Sequence, residues 1–183
     1  MKVGRIRILT LFAMLSGQVF GSTFRFVSDE KIINASEHII MGEVEKVETV
    51  TDTNVLFQHI TIKVDKIYKT KAEEPLQEGD SIVIRQIGGE SDGRYIKLDG
   101  LPSFTVGSNV FVNLKKNDEG YFYVIGSEQG KFDVLNHREM IRDTTESMFV
   151  RHGENGKMIF LNGSVERSSL EEMVTKIRVN NAE

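Results

Sequence analysis

The feature that most limits how this chain can fold is a series of short strand signals cut by glycine-bearing turns. Gln58-His59-Ile60-Thr61-Ile62-Lys63-Val64-Asp65-Lys66-Ile67-Tyr68 alternates polar and apolar residues. A period of two puts Ile60, Ile62 and Val64 on one side of a pleated strand, the pattern of half-buried β-structure. The alternation slips at Asp65-Lys66 before Ile67 resumes it, and an extra residue of that kind marks a bulge. Similar segments lie on either side. Ile39 to Val47 precedes it. Ser81 to Gln86, Arg94 to Leu98, Ser108 to Leu114, Tyr121 to Ile125 and Lys131 to Leu135 follow. Glu78-Gly79-Asp80, Gly93, Gly100 and Asn117-Asp118-Glu119-Gly120 read as the turns between them. The chain has 16 glycines and 2 prolines, a balance that suits sharp turns and bulges rather than disorder. Strands at this spacing predict a mainly β fold, a small antiparallel barrel or sandwich.

The last third changes character. Asn136 to Thr145 is polar and reads as helical or irregular. Ser147 to Arg151 and Lys157 to Leu161 flank His152-Gly153-Glu154-Asn155-Gly156 and read as a hairpin. Ser168-Ser169-Leu170-Glu171 has the form of a capping box. It opens a predicted C-terminal helix with Leu170, Met173, Val174 and Ile177 on one face, a stripe expected to pack on the barrel. Near the other end, Ser28 is placed to cap a short helix through Ile32-Ile33.

The first residues carry an address. Met1 to Arg7 holds Lys2, Arg5 and Arg7 and no acid, Ile8 to Leu15 is apolar apart from Thr10, and Val19-Phe20-Gly21 places small or β-branched residues at the −3 and −1 sites. That order reads as a cleavable secretory signal cut before Ser22. The apolar run is far shorter than the roughly 20 residues of a bilayer span, and no later segment approaches that length. The expected organisation is a signal over 1–21, a lead-in over 22–35, an OB-like barrel over 36–135, and a hairpin and helix over 136–183. Without Lys2, Arg5 and Arg7, 20 cationic residues face 27 acidic ones, and the formal charge moves from −4 to −7. That balance argues against nucleic acid and against docking on anionic membranes, both of which need a basic surface. The chain has no cysteine. An exported protein without disulfides depends on its core alone, which fits a bacterial periplasm or culture medium better than a small animal extracellular module.

Two resemblances follow from particular residues. Ser36, Ile39, Gly42 and Val44, with Val64, Tyr68 and Lys69 later, are similar to the opening phrases of netrin-like domains, the class that includes tissue inhibitors of metalloproteases. That resemblance implies an OB-fold barrel. Those inhibitors chelate the target's zinc through an N-terminal cysteine, which this chain lacks. A second resemblance rests on Gly88-Gly89, Leu98 to Gly107, Val110 and Leu114, then Tyr121, Val124, Gly126 and Gln129-Gly130-Lys131-Phe132. This combination resembles uncharacterised secreted bacterial proteins with an OB-like barrel and implies no activity.

Residues able to carry chemistry are sparse. His38, His59, His137 and His152 are the four histidines, and no two have the spacing of a zinc-binding helix. Gly126-Ser127-Glu128 lacks the second glycine of a nucleophile elbow. Gly88 to Gly93 lacks the helix start and Lys-Ser/Thr of a phosphate loop, and reads as a glycine bulge and hairpin. No cofactor and no metal site are expected. Gly100-Leu101-Pro102-Ser103-Phe104 puts two large apolar residues in a short connection. Phe104 either plugs the barrel or, with Leu101, lines a binding surface. Tyr121 and Tyr123 alternate with Phe122 and share a face that could stack on a ligand. The expected function is an exported, non-enzymatic binding module for an unidentified protein partner, with Leu101, Phe104, Tyr121 and Tyr123 as its surface. The alternatives are an inhibitor of a co-secreted protease and a hydrolase with an unrecognised site.

Overall fold

The computed structural model describes residues 23–136, 138–153 and 155–180. The signal over 1–21, the start at Ser22 and His137 lie outside them. Strand accounts for 52% of the structure and helix for 14%, so the fold is mainly β.

Two long strands organise the molecule. β2 (His38–Asp52) and β3 (Val55–Lys69) form a hairpin whose turn residues Thr53 and Asn54 both have positive φ, at 48° and 67°. Two residues at positive φ give the turn the twist that matches its flanking strands. The pairing skips Asp65, between the Met41–Lys66 and Gly42–Val64 pairs, as the sequence slip predicts. It also skips Tyr68 and, on β2, Glu45. Each bulge bends the ribbon and raises its twist. Gly42 sits at one such crossing, where a Cβ would stand 2.1 Å from the Lys63 carbonyl oxygen, so only glycine fits.

β4 (Ser81–Ile87) pairs with β3, and β7 (Asn109–Lys116) pairs with β2. β8 (Phe122–Val124) then returns to pair with β7 and touches β4 through one parallel pair, Ile84 with Phe122. The order β2-β3-β4-β8-β7 therefore curls back on itself, but through so narrow a contact that barrel closure is partial. Ile40, Val44, Ile60, Ile62, Val64, Ile84, Val110, Val112 and Leu114 fill its inside.

The outer side of the same strands is buried too. Ile39 and Phe111 point away from the first core into a second one with Ile33, Phe132, Met140, Met173 and Ile177. Ile33 comes from α1 (Asp29–Ala35), and Met173 and Ile177 from α2 (Leu170–Asn180). Ser28 stands at the N-cap of α1 as expected, but its hydroxyl makes no capping bond. The helix box lies one residue later than the sequence reading placed it: the Glu172 amide donates to Ser169 Oγ at 3.0 Å.

β7 forks. Along one edge Val110 to Val112 pair with β9 (Lys131–Val134), and Leu114 to Lys116 pair with β8. Asn113 marks the division. Its carbonyl accepts from the Ile125 amide, and its Nδ2 donates to the Gly130 carbonyl across a 3-10 turn, Ser127–Gly130. Beyond β9 the sheet continues through β10 (Glu139–Asp143) to β13 (Val165–Ser169).

β10 corrects the reading of Asn136 to Thr145 as helical or irregular. Its core residue is Met140, and Arg142 occupies a buried position that pattern reasoning reserves for apolar side chains. Arg142 is satisfied by bonds to Glu166, to Asp29 Oδ1 (2.8 Å) and to the Gln129 carbonyl (2.8 Å), and it lies 4.7 Å from the Phe132 ring centre. Lys176 of α2 bonds the other oxygen of Asp29 at 2.9 Å. One ionic cluster thus ties α1, α2, β10 and β13 together.

Two smaller sheets complete the fold. β5 (Gly89–Ser91) and β6 (Arg94–Ile96) form the glycine hairpin expected over 88–93, with a shorter second strand than the sequence indicates. β11 (Met148–His152) and β12 (Met158–Asn162) form the expected C-terminal hairpin. β1 (Thr23–Arg25), unmarked in the sequence reading, joins β11 in parallel.

Candidate functional site

The β3–β4 register sets His59 opposite Arg85 and Gln58 opposite Gln86. Neighbours along a strand point to opposite faces, so these pairs look out of and into the curled sheet respectively. On the outward face the Arg85 guanidinium lies 3.9 Å from the Phe57 ring centre and 5.1 Å from that of Tyr121. The Tyr121 ring is in turn 4.9 Å from His59. Arg85 is thus held between two aromatic faces, an arrangement their π-electrons favour.

Acids from two turns complete the site. Asp52, at the end of β2, and Glu119, in the β7–β8 turn, both bind the guanidinium, Glu119 Oε2 at 2.5 Å. Hydrogen bonding from Arg85, with help from Thr53, holds the Asp52 carboxyl below its usual range. The same bond to Asp52 raises Arg85 further above neutrality, so the cation is permanent. Arg85 Nε has no hydrogen-bond partner among the described residues. An open hollow of about 440 Å³ lies over this group, lined by Val55, Phe57, Arg85, Asn117 and the two acids among others.

The four expected surface residues divide between two places. Tyr121 belongs to the Arg85 group, and Tyr123 lies two residues on at 38% exposure. Leu101 and Phe104 lie elsewhere. Phe104 packs against the first core, and Lys131 Nζ stands 5.7 Å from its ring centre. Gln86 Nε2 donates to Gln58 Oε1 (3.0 Å) and to the Pro102 carbonyl (3.1 Å), which fixes the Leu101–Phe104 loop to the inward side. Leu101 is half-buried and, with Pro102 and Ser103, lines two small cavities.

Sequence reasoning missed Phe57, Arg85, Asp52 and Glu119. Strand parity carries a usable signal for the first two. Phe57 is out of phase with Ile60, and Arg85 with Ile84, so both fall on the side away from the core. The acids come from turns, and only the folded chain brings them to Arg85.

The other described histidines lie apart. His38 is buried on β2, with its ring edge-on to Phe122 at 5.4 Å and Nδ1 3.1 Å from Thr70 Oγ1; burial lowers its pKa. His152 is exposed at the end of β11. Among the described residues no group of three His, Asp or Glu is arranged to hold a metal ion, and no helix is long and apolar enough to cross a membrane. No protein-family model, curated protein or solved structure matches this chain.

Proposed function

We propose that the chain is an exported, non-enzymatic binding module that takes a protein partner on the Arg85 face. The observation that carries this reading is a permanently charged arginine stacked between Phe57 and Tyr121, its side chain 12% exposed at the floor of a hollow between two turns. Arginine and tyrosine head the residues that dominate binding energy at protein interfaces, because they combine large rigid area with directed hydrogen bonds. Side chains already held by stacking and ion pairs cost less entropy to fix on binding.

The strand order supports the placement. OB-type barrels bind on their second and third strands, between the first hairpin turn and the turn before the last strand. In the ring β2-β3-β4-β8-β7 the corresponding positions are β3 and β4, flanked by Thr53-Asn54 and by Asn117 to Gly120. Asp52 and Glu119 at the rims, on a chain of net charge −4, disfavour a nucleic-acid ligand and favour a protein. Export is the reading that Met1 to Gly21 supports.

The test is affinity capture from the native secretome, followed by calorimetry on the captured protein. Arg85→Ala and Tyr121→Ala should each weaken binding by about 2 kcal/mol, roughly 30-fold, as interface anchors do. Unchanged affinity in both variants would move the contact off this face.

A further inference from the structure

A second cavity shares no lining residue with the hollow over Arg85. This cavity, of about 210 Å³, is lined by Leu101, Pro102, Glu128, Lys131, Asp143 and Glu146 among others. Its acids and bases are mostly matched. Lys97 pairs with Glu146 at 2.7 Å, and Lys131 with Asp133 at 2.5 Å. Asp143 accepts from the Thr145 amide (3.0 Å) and hydroxyl (2.7 Å).

Glu128 is the exception. It is 7% exposed, and its Oε1 has no hydrogen-bond partner, nor does the Oγ of nearby Ser147. A buried carboxylate without a partner is costly, and native structures rarely tolerate one without a use. Burial, and then the surrounding Asp143, Glu146 and Asp99, push its pKa up against the opposing pull of Ser147. Four carboxylates face two lysines in the lining, so the site is short of positive charge, and Glu128 is the acid with neither a lysine nor a partner for its Oε1. A metal ion is a poor candidate, since the described acids do not converge as metal ligands do. Leu101 and Pro102 supply an apolar wall on which a methylene stem can lie, as lysine stems do on protein surfaces. The volume suits one side chain rather than a drug-sized molecule.

We propose that this cavity recognises an alkylammonium group, with Glu128 as its counter-ion and Leu101 and Pro102 as the wall for its stem. A free amine and a lysine side chain of another protein share that chemistry. The test titrates the purified full chain with n-butylammonium chloride, with N-acetyl-lysine methylamide and with 1-butanol, following the backbone amide resonances of Glu128, Lys131 and Thr145. Saturable shifts with the cations and none with butanol are expected. Equal affinity for both cations identifies a small amine as sufficient, and binding of the blocked lysine alone identifies a protein side chain. Glu128→Gln should weaken binding about tenfold or more, because it removes the charge and keeps the shape. It should fold at least as stably as the parent at neutral pH. A raised folded pKa means that the charge costs stability above that pKa, and the cost fades as pH falls towards the ordinary glutamate value. Arg85→Ala should leave amine binding unchanged, which separates this site from the proposed protein-binding face. Absence of saturable shifts with either cation, equal shifts with butanol, or unchanged affinity in Glu128→Gln would each overturn the proposal.

Discussion

β3 and β12 are built from comparable apolar residues and end in opposite circumstances. Ile60, Ile62 and Val64 of β3 are sealed inside the curled sheet. Met158 and Phe160 of β12 are 63% and 60% exposed. The contrast lies in their neighbours. β3 pairs on both edges and faces the first core, and the adjoining β2 and β7 are covered on both sides. β12 is the edge of a three-stranded sheet and pairs with β11 alone. The bonds from Gly153 to Lys157 and from Gly163 to Ser147 fix the parity of that hairpin, leaving the amides and carbonyls of Met158, Phe160 and Asn162 turned to the open edge. A strand's hydrophobicity expresses a demand for cover, and topology decides whether cover is supplied.

The largest expected effect tests the doubly covered region. Phe111 stands fully buried between Tyr68 and Phe132, so Phe111→Ala should cost about 3–5 kcal/mol in denaturant unfolding. A loss under about 1 kcal/mol would show that the outer core repacks freely. Next comes the ionic seam between the two regions. Arg142→Ala leaves Asp29 with Lys176 alone and the buried Gln129 carbonyl without its donor, and should cost about 2–3 kcal/mol. Asp29 also sets an acid limit. Burial would raise its carboxyl, but Arg142 and Lys176 together hold it below the ordinary value of 3.8. Its contribution is therefore complete above that value and is lost as pH falls through the lower, folded one. Melting temperatures below about pH 4 should drop more steeply in the parent than in Asp29→Asn. Ser169→Ala removes the cap of α2 and should cost about 1 kcal/mol, with Ser168→Ala as a near-silent control. The smallest effect belongs to the exposed strand. Phe160→Ser should change stability by no more than about 0.5 kcal/mol while raising solubility, since it breaks an open apolar edge. A Phe160→Ser cost near that of Phe111→Ala would erase the distinction between the regions.

The sequence shows most of the ring, because its strands alternate and their slips are visible: the bulge at Asp65 is legible as a break in phase. It hides β10, because Arg142 takes a core position by pairing with Asp29 and Glu166 from distant segments. It hides β1, whose three residues gain a partner only across more than 120 positions of chain. The proposed surface is legible in part. Tyr121 belongs to a face that Phe57 and Arg85 complete, whereas Leu101 and Phe104 face the other way for a reason one residue wide, the parity between Arg85 and Gln86.

Asn113 gives the molecule a composite character. One edge of β7 has two claimants, β8 and β9, and little more than the Ser127–Gly130 turn separates them in sequence. Both bonds of Asn113 act as a boundary stone, allotting three residues of edge to each. β2, β3, β4 and β8 form with β7 a ring that closes only in part. β9, β10 and β13 extend the sheet from the Val110–Val112 allotment and lie outside that ring. The sheet is continuous, but its design is modular: a partly closed ring and an extension joined along a shared frontier that one asparagine side chain surveys.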